Sequence, residues 1–234
     1  MKNEQNTEER ILEAATGVFA AEGFKSATVR KICKKAHVNV AAVNYHFRGK
    51  AGLYAAVIEK LFSAGMAKFP PDKGFLPHMG AEEKLGIFIR NFFIRLAGEK
   101  IWIPSGSHIR LMLRELSEPT PGLDIVVQKF ILPHKQVLSE IVREILGDTA
   151  TEEKQIRCMM SIMAQCVHYS IARPIIERVA QEYTPKEADI EKISAHITRF
   201  SLGGIQEIMK NAEKDCLNSD LSDSSDYSDF LSVS

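Results

Sequence analysis

Residues 38–47 read Val38-Asn39-Val40-Ala41-Ala42-Val43-Asn44-Tyr45-His46-Phe47, and Arg48-Gly49-Lys50 follow. The stretch has the period of a short helix with Asn39 as its cap. Two alanines and two amides suit neither a packed core helix nor a charged solvent helix. They suit a helix whose backbone something must approach closely, with hydrogen-bond donors gathered at its end. Working outward, the segment before it starts near Thr28 and places Val29, Ile32, Cys33 and Ala36 on one face. His37-Val38-Asn39 joins the two helices tightly. Two short helices with such a join form a helix-turn-helix, whose second helix enters the DNA major groove.

Around that pair the pattern is helical almost throughout, and neither strand alternation nor Asn-Gly or Asp-Gly hairpin signals stand out. The first helix is expected to begin at Asn6 or Thr7, with Glu9 completing a capping box. Ile11, Ala15, Val18 and Phe19 form its buried stripe. Gly23 stops it, and Phe24 is placed to fold back on the last turn. A fourth helix runs from about Lys50 through Leu53, Tyr54, Val57, Ile58, Leu61 and Phe62. Residues 69–80 hold three prolines and two glycines and are the expected joint between domains. Further helices are expected near 81–97, 105–117, 122–146, 151–181 and 185–210. Thr184, Pro185 and Glu187 signal the start of the last, and Pro133 and Pro174 should kink or end theirs. The fold class is therefore all-α. Residues 1–65 form a three-helix, helix-turn-helix DNA-binding domain with the fourth helix as linker. Residues 66–212 form a larger helical domain. Residues 213–234 form an acidic Ser/Asp-rich tail, whose composition from Leu217 onward predicts disorder.

The formal net charge of the 234 residues is zero, but it is unevenly spread. Residues 25–50 carry Lys25, Arg30, Lys31, Lys34, Lys35, Arg48 and Lys50 and no acid, whereas six acids and one lysine occupy residues 211–234. A local cluster of one sign inside a neutral chain points to a polyanion site. The acidic run either competes with DNA for that cluster or serves as a solubility tail. Cys33, Cys158, Cys166 and Cys216 make no CxxC pair and are expected as reduced, buried thiols. The seven histidines show no tight ligand spacing, and no phosphate loop, GxSxG elbow or HExxH is present. No metal, cofactor or enzymatic activity is expected. The polar N-terminus and the lack of a bilayer-length apolar run predict a cytoplasmic protein.

Thr28, Lys35, Asn39, Val40, Ala41, Ala42, Asn44, Tyr45, His46 and Lys50 are the candidate DNA-binding residues. Ala41 and Ala42 let the backbone come near base edges, and a methyl group can touch a thymine methyl. Asn44 can pair with adenine or reach a phosphate. Tyr45 and His46 place donors where the backbone passes, and Lys50 adds its charge to a helix start. The wider order of residues 7–62 ends in a His-Phe-x-x-Lys-x-x-Leu run. It resembles the DNA-binding domain of TetR-family transcriptional regulators. The matching positions are Ile11, Ala14, Phe19, Gly23, Thr28, Val29, Ile32, Ala36, Val38, His46, Phe47, Lys50 and Leu53. Asn44 stands where the family usually has tyrosine, so that tyrosine's phosphate contact does not carry over. The Asn-Tyr-His-Phe variant resembles the CecR-like branch. So do Leu113–Pro121, Gln165-Cys166 with Ala172-Arg173-Pro174, and Ile197–Ser201.

In the second half, Phe88, Phe92, Trp102, His108, Met112, Glu115, Met163, His168 and Tyr169 mix aromatic, soft and polar groups. The resemblance implies an effector cavity in this domain, and such a mixture suits one; an ordinary core with a few satisfied polar groups uses the same residues. Helices near 151–173 and 185–210 are rich in small residues, and the resemblance implies that they form a homodimer interface. They can also pack only within one chain. The expected partners are thus a double-stranded DNA operator, an unidentified small-molecule effector and a second copy, with no membrane. The expected function is that of a repressor released from a palindromic operator by its effector. The competing reading is an all-helical scaffold whose helix-turn-helix head does not bind DNA specifically. Helix 50–62 leaves the head for the larger domain and is the natural lever between the two.

Overall fold

A computed structural model of the chain describes residues 2–98 and 107–225. Among them there are helices and turns but no strand. Helix α1 spans Lys2–Ser26, α2 Val29–Ala36, α3 Val40–Phe47 and α4 Lys50–Lys68. After a loop come α5 (Ala81–Gly98), α6 (Ser107–Ser117), α7 (Pro121–Val126) and α8 (Leu132–Leu146). The last helices are α9 (Glu152–Ile171), α10 (Arg173–Val179) and α11 (Ile190–Ser225).

Two hydrophobic clusters organise these helices. The first is built on Ile11, Ala15 and Phe19 of α1, Ile32 of α2, Val43 of α3, and Leu53, Val57 and Ile58 of α4. It also takes in Leu111 of α6 and Val126 of α7. The second joins Leu85, Phe88, Ile89 and Phe93 of α5 to Leu138, Val142 and Leu146 of α8, Ile162 and Cys166 of α9, and Ile197 and Ile205 of α11. Helix α4 thus starts in the first cluster and runs toward the second. Its 19 residues span about 28 Å. Among the described residues no helix is long and apolar enough to cross a membrane.

Local chemistry sets the helix ends. Gly23 takes φ 75° and ψ 172°, which breaks α1 before Ser26. Phe24 then folds back so that Phe19, Phe24 and Tyr54 form an aromatic cluster, with the Tyr54 ring 4.8 Å from Phe19 and 4.9 Å from Phe24. Five residues of π-helix, Val127–Ile131, precede Pro133. Pro133 has no N–H to donate to the preceding turn, and the wider turn absorbs the missing bond. Pro174 marks the break between α9 and α10 at Ala172.

Several boundaries differ from the sequence reading. Helix α1 begins at Lys2, so Asn6 lies within it and does not cap it; the residues before Asn6 are themselves compatible with helix. Helix α4 continues six residues beyond Phe62. Helix α11 does not open at Thr184 and Pro185. The Pro185 carbonyl accepts a bond from Arg173 Nη1 at 3.2 Å, and Asp189 N–H pairs with Lys186 O at 2.9 Å in a 3₁₀ turn. Asp189 Oδ2 accepts the Lys186 N–H at 3.1 Å and does the capping expected of Thr184. The α11 backbone stays helical to Ser225, through residues 217–225 read as tail, while 226–234 lie outside the described residues.

Candidate nucleic-acid interface and ligand cavity

The two short helices of the head are held by their own caps. Thr28 Oγ1 accepts the Lys31 N–H at 3.2 Å, and Asn39 Oδ1 accepts the Ala42 N–H at 2.8 Å. His37 and Arg48 close α2 and α3 in the left-handed conformation, at φ 54° and 57°. Helix α3 then divides cleanly. Val43 and Phe47 are buried against α4, whereas Val40, Ala41, Asn44 and Tyr45 are exposed. Tyr45 is 77% exposed, and its ring stands 5.0 Å from that of His46. An exposed face of valine, alanine, asparagine and tyrosine can enter a groove 12 Å wide without a bulky side chain holding the backbone off.

The basic residues do not all share that face. Lys35, Arg30 and Arg48 are exposed. Lys31 pairs with Glu22 and Lys25 with Glu118. Lys50 is occupied: its Nζ donates to the Lys25 carbonyl at 3.1 Å and lies 4.8 Å above the Phe24 ring. It pins the start of α4 to the end of α1 as well as bringing charge there. Thr28 and Asn39 likewise spend a side-chain oxygen on capping, although Asn39 keeps its amide donors for an acceptor outside. Arg48 was not among the sequence candidates. Its signal was present in the basic count, but its exposed left-handed position after α3 is a matter of structure.

A second constellation joins head to body. Glu115 is 1% exposed, yet no cation sits on its carboxylate among the described residues. The carboxylate accepts the Tyr54 hydroxyl, the Thr120 N–H at 3.1 Å and the Thr120 hydroxyl at 2.9 Å. Burial and the bond to Glu115 push the Tyr54 phenol well above the usual tyrosine range. Next to it, Arg114 Nη2 donates to the Ala21 carbonyl at 2.9 Å. A Cβ on Gly23 would lie 2.9 Å from Arg114 Nη1, and one on Gly122 would lie 2.7 Å from Tyr54 Cε1. The segment from Arg114 to Gly122 is therefore a clasp on α1 and α4. Glu115 belongs to this clasp and does not line the cavity expected of it.

The cavity lies between α4, α5, α6, α8 and α9 and encloses about 480 Å³. Phe92, Met112 and Met163 of the sequence candidates line it. Phe88 is buried in the neighbouring core, its ring 6.1 Å from that of His134. Tyr169 packs on Phe93 at 6.0 Å, and His168 is exposed and does not line the cavity. Trp102 and the His108 side chain lie outside the described residues. Phe130, an aromatic of the same half that the sequence also offers, lines it too, whereas sequence reading missed Phe62, Met66, His134 and Met159. They looked like ordinary core positions, and only the relative placement of α4 and α8 turns them toward one space. Burial, the Arg95 charge and an Nδ1 contact of 2.6 Å with the Phe130 carbonyl act together on His134. The first two outweigh the third and lower its pKa to about 4. Burial also pushes the Cys166 thiol up to about 12, and Cys33 and Cys158 are likewise buried thiols.

Fold and site together define a helical protein with a helix-turn-helix head clasped to a body that holds a small-molecule-sized cavity. Residues 11–57 match the family of bacterial regulatory proteins of the tetR family. Residues 81–205 match the C-terminal domain of the HTH-type transcriptional dual regulator CecR. The chain belongs to the TetR family, in the branch with a CecR-type C-terminal domain. Among its relatives, the HTH-type transcriptional regulator SrpR of Pseudomonas putida is 36% identical over 78 residues, covering 33% of this chain and 34% of that one. UidR of Escherichia coli K12 is 35% identical over 65 residues, 28% of this chain and 33% of that one. These matches span about a third of the curated relatives' length. The fold is shared along nearly the whole chain with a tetR-family regulatory protein from Rhodococcus RHA1, at a TM-score of 0.59, 19% identity, and coverage of 85% and 96%.

Proposed function

We propose that the protein is a DNA-binding transcriptional regulator, a homodimeric repressor that a small molecule releases from a palindromic operator. The observation that carries this reading is the division of α3. Its packing residues Val43 and Phe47 are buried, while Val40, Ala41, Asn44 and Tyr45 stand exposed in a head that also exposes Arg30, Lys35 and Arg48. In the proposed roles Ala41, Ala42 and Asn44 face bases, and Tyr45, His46, Lys35 and Arg48 face phosphates. Dimerisation through α9 and α11 is supported by the open side of those helices. Phe200 is 64% exposed there, and added Cβ atoms at Gly203 and Gly204 would meet nothing within 4 Å among the described residues. Residues 1–65 act as the DNA-reading unit and 66–212 as the sensing and dimerising unit.

The coupling runs through α4 and α6. Helix α4 is fixed to the head by Lys50, to the clasp by Tyr54, and to the cavity by Phe62 and Met66. Helix α6 gives Met112 and Leu113 to the cavity and the next two residues, Arg114 and Glu115, to the clasp. A ligand that shifts α6 therefore shifts the head. The test is selection of binding sites from random-sequence DNA. A regulator enriches one palindrome and loses affinity steeply with salt, by a log–log slope of roughly −0.9 per phosphate contact. A scaffold with an idle head enriches nothing.

A further inference from the structure

The walls of the cavity are mostly soft and apolar. Five of the chain's eight methionines, Met66, Met112, Met159, Met160 and Met163, converge on it. Methionine is flexible and polarisable, so such a wall reshapes itself around apolar groups and does not select one rigid outline. Selection then falls to the polar side chains of the lining, which are Arg95, His134, Lys135 and Ser170. Arg95 is already engaged, donating Nη1 to the Phe69 carbonyl at 2.5 Å, and Lys135 is exposed. His134 is different. Its Nδ1 lies 2.6 Å from the Phe130 carbonyl oxygen. A carbonyl oxygen only accepts, so Nδ1 carries the proton. Burial and the Arg95 charge keep the ring neutral at physiological pH, which leaves Nε2 as a bare acceptor. Nε2 has no hydrogen-bond partner among the described residues. Ser170 adds a buried hydroxyl that is likewise without a partner among them.

We infer that the cavity takes an apolar small molecule carrying a hydroxyl or N–H group that donates a hydrogen bond to His134 Nε2, and that His134 is the specificity-determining residue of the site. This rests on the cavity being the effector site proposed above, but it is tested without DNA. A wholly apolar ligand that fills the cavity shuts Nε2 off from water and leaves it unpaired, and a donor on the ligand removes that cost. The Ser170 hydroxyl both donates and accepts, so it serves a polar atom of either kind and does not discriminate. The methionine wall accepts either a chain or a ring system, so the donor is the selective feature.

The experiment is calorimetric titration of the full chain with para-pentylphenol and para-pentylanisole, which share a ring and a chain. The ether lacks the donor and is the more apolar of the two, so apolar burial alone favours it. The phenol should nevertheless bind about tenfold more tightly. His134→Phe keeps a ring beside Phe88 and removes the acceptor, so the ether should then bind at least as tightly as the phenol. His134→Gln keeps an acceptor and should keep the preference for the phenol, a result that a merely structural role of the ring does not give. Folding of both variants is checked by helical signal and melting temperature, and either one assigns the His134 ring signals in isotope-labelled protein. There the unprotonated Nε2 resonance should move much further with the phenol than with the ether. Equal or tighter binding of the ether to the unaltered protein, a phenol preference that survives His134→Phe, or no binding of either compound overturns the inference. Because operator is absent, such a failure leaves the regulator reading standing. Tight phenol binding that never releases operator would support the ligand class while contradicting the effector reading.

Discussion

At the scale of single residues, the most consequential group is the buried carboxylate of Glu115. Its burial is offset by three donors, the Tyr54 hydroxyl and the N–H and hydroxyl of Thr120, rather than by a cation. Tyr54→Phe removes one donor while keeping the ring in the Phe19–Phe24 cluster. It should cost about 1.5–3 kcal/mol in urea unfolding, the range for a hydrogen bond to a charged group. Gly122→Ala should also destabilise, since its methyl would meet the Tyr54 ring edge at 2.7 Å. Arg48 offers a separable test. It holds φ 57° without being glycine, so Arg48→Gly should raise stability by several tenths to about 1 kcal/mol. The same change should weaken all DNA sequences alike if Arg48 meets phosphate. His134 sets a pH dependence. Its folded pKa, about 4, lies below the ordinary histidine value of 6.5. Between those values the unfolded chain binds more protons, so this contribution is full above about pH 6.5 and is lost as pH falls toward 4. The loss is on the order of 2–3 kcal/mol. His134→Gln should flatten the stability–pH curve in that window.

At the scale of helices, the pair α2 and α3 was legible in the sequence to within a residue. Its caps Thr28 and Asn39 and its buried Val43 and Phe47 are local signals that tertiary packing leaves unchanged. The Leu113–Pro121 stretch was legible only as a resemblance. That it clasps the head depends on Glu115 meeting Tyr54 across 61 positions of sequence, which no helical period records. The cavity was legible in part for the same reason. Phe92, Met112 and Met163 stand out as soft or aromatic residues on partly polar helices, but Phe62 and Phe130 face it only because α4 crosses the π turn before α8, with their rings 5.3 Å apart. The start of α11 was misread because Arg173 takes the Pro185 carbonyl, a contact from another helix. For α3 itself, Asn44→Ala should change which sequences are preferred, at about 1–3 kcal/mol for the affected base pair. Lys50→Ala should combine a lower melting temperature with a uniform loss of DNA affinity, because Lys50 also ties α4 to α1. A melting temperature unchanged by Lys50→Ala would show that this tie contributes nothing.

At the scale of the whole molecule, two recognition helices must lie about 34–36 Å apart to enter successive major grooves. Helix α4 reaches from head to cavity over about 28 Å, so in the proposed mechanism a small tilt at Phe62 and Met66 would displace the head by a few ångströms. The coupling this requires is ordinary, about 1–3 kcal/mol or roughly 5–150-fold in affinity. Tyr54→Phe loosens the clasp between α4 and α6 and should lower that factor even where both ligands still bind. The central claim is that the cavity and the DNA-reading face are two sites of one equilibrium. It is tested most directly by titrating a cavity-binding small molecule into the protein with and without its selected operator. Linkage predicts that operator weakens binding of that molecule by the same factor by which the molecule weakens operator binding. A cavity ligand that binds with equal affinity in the two states would contradict the account, however tightly it binds.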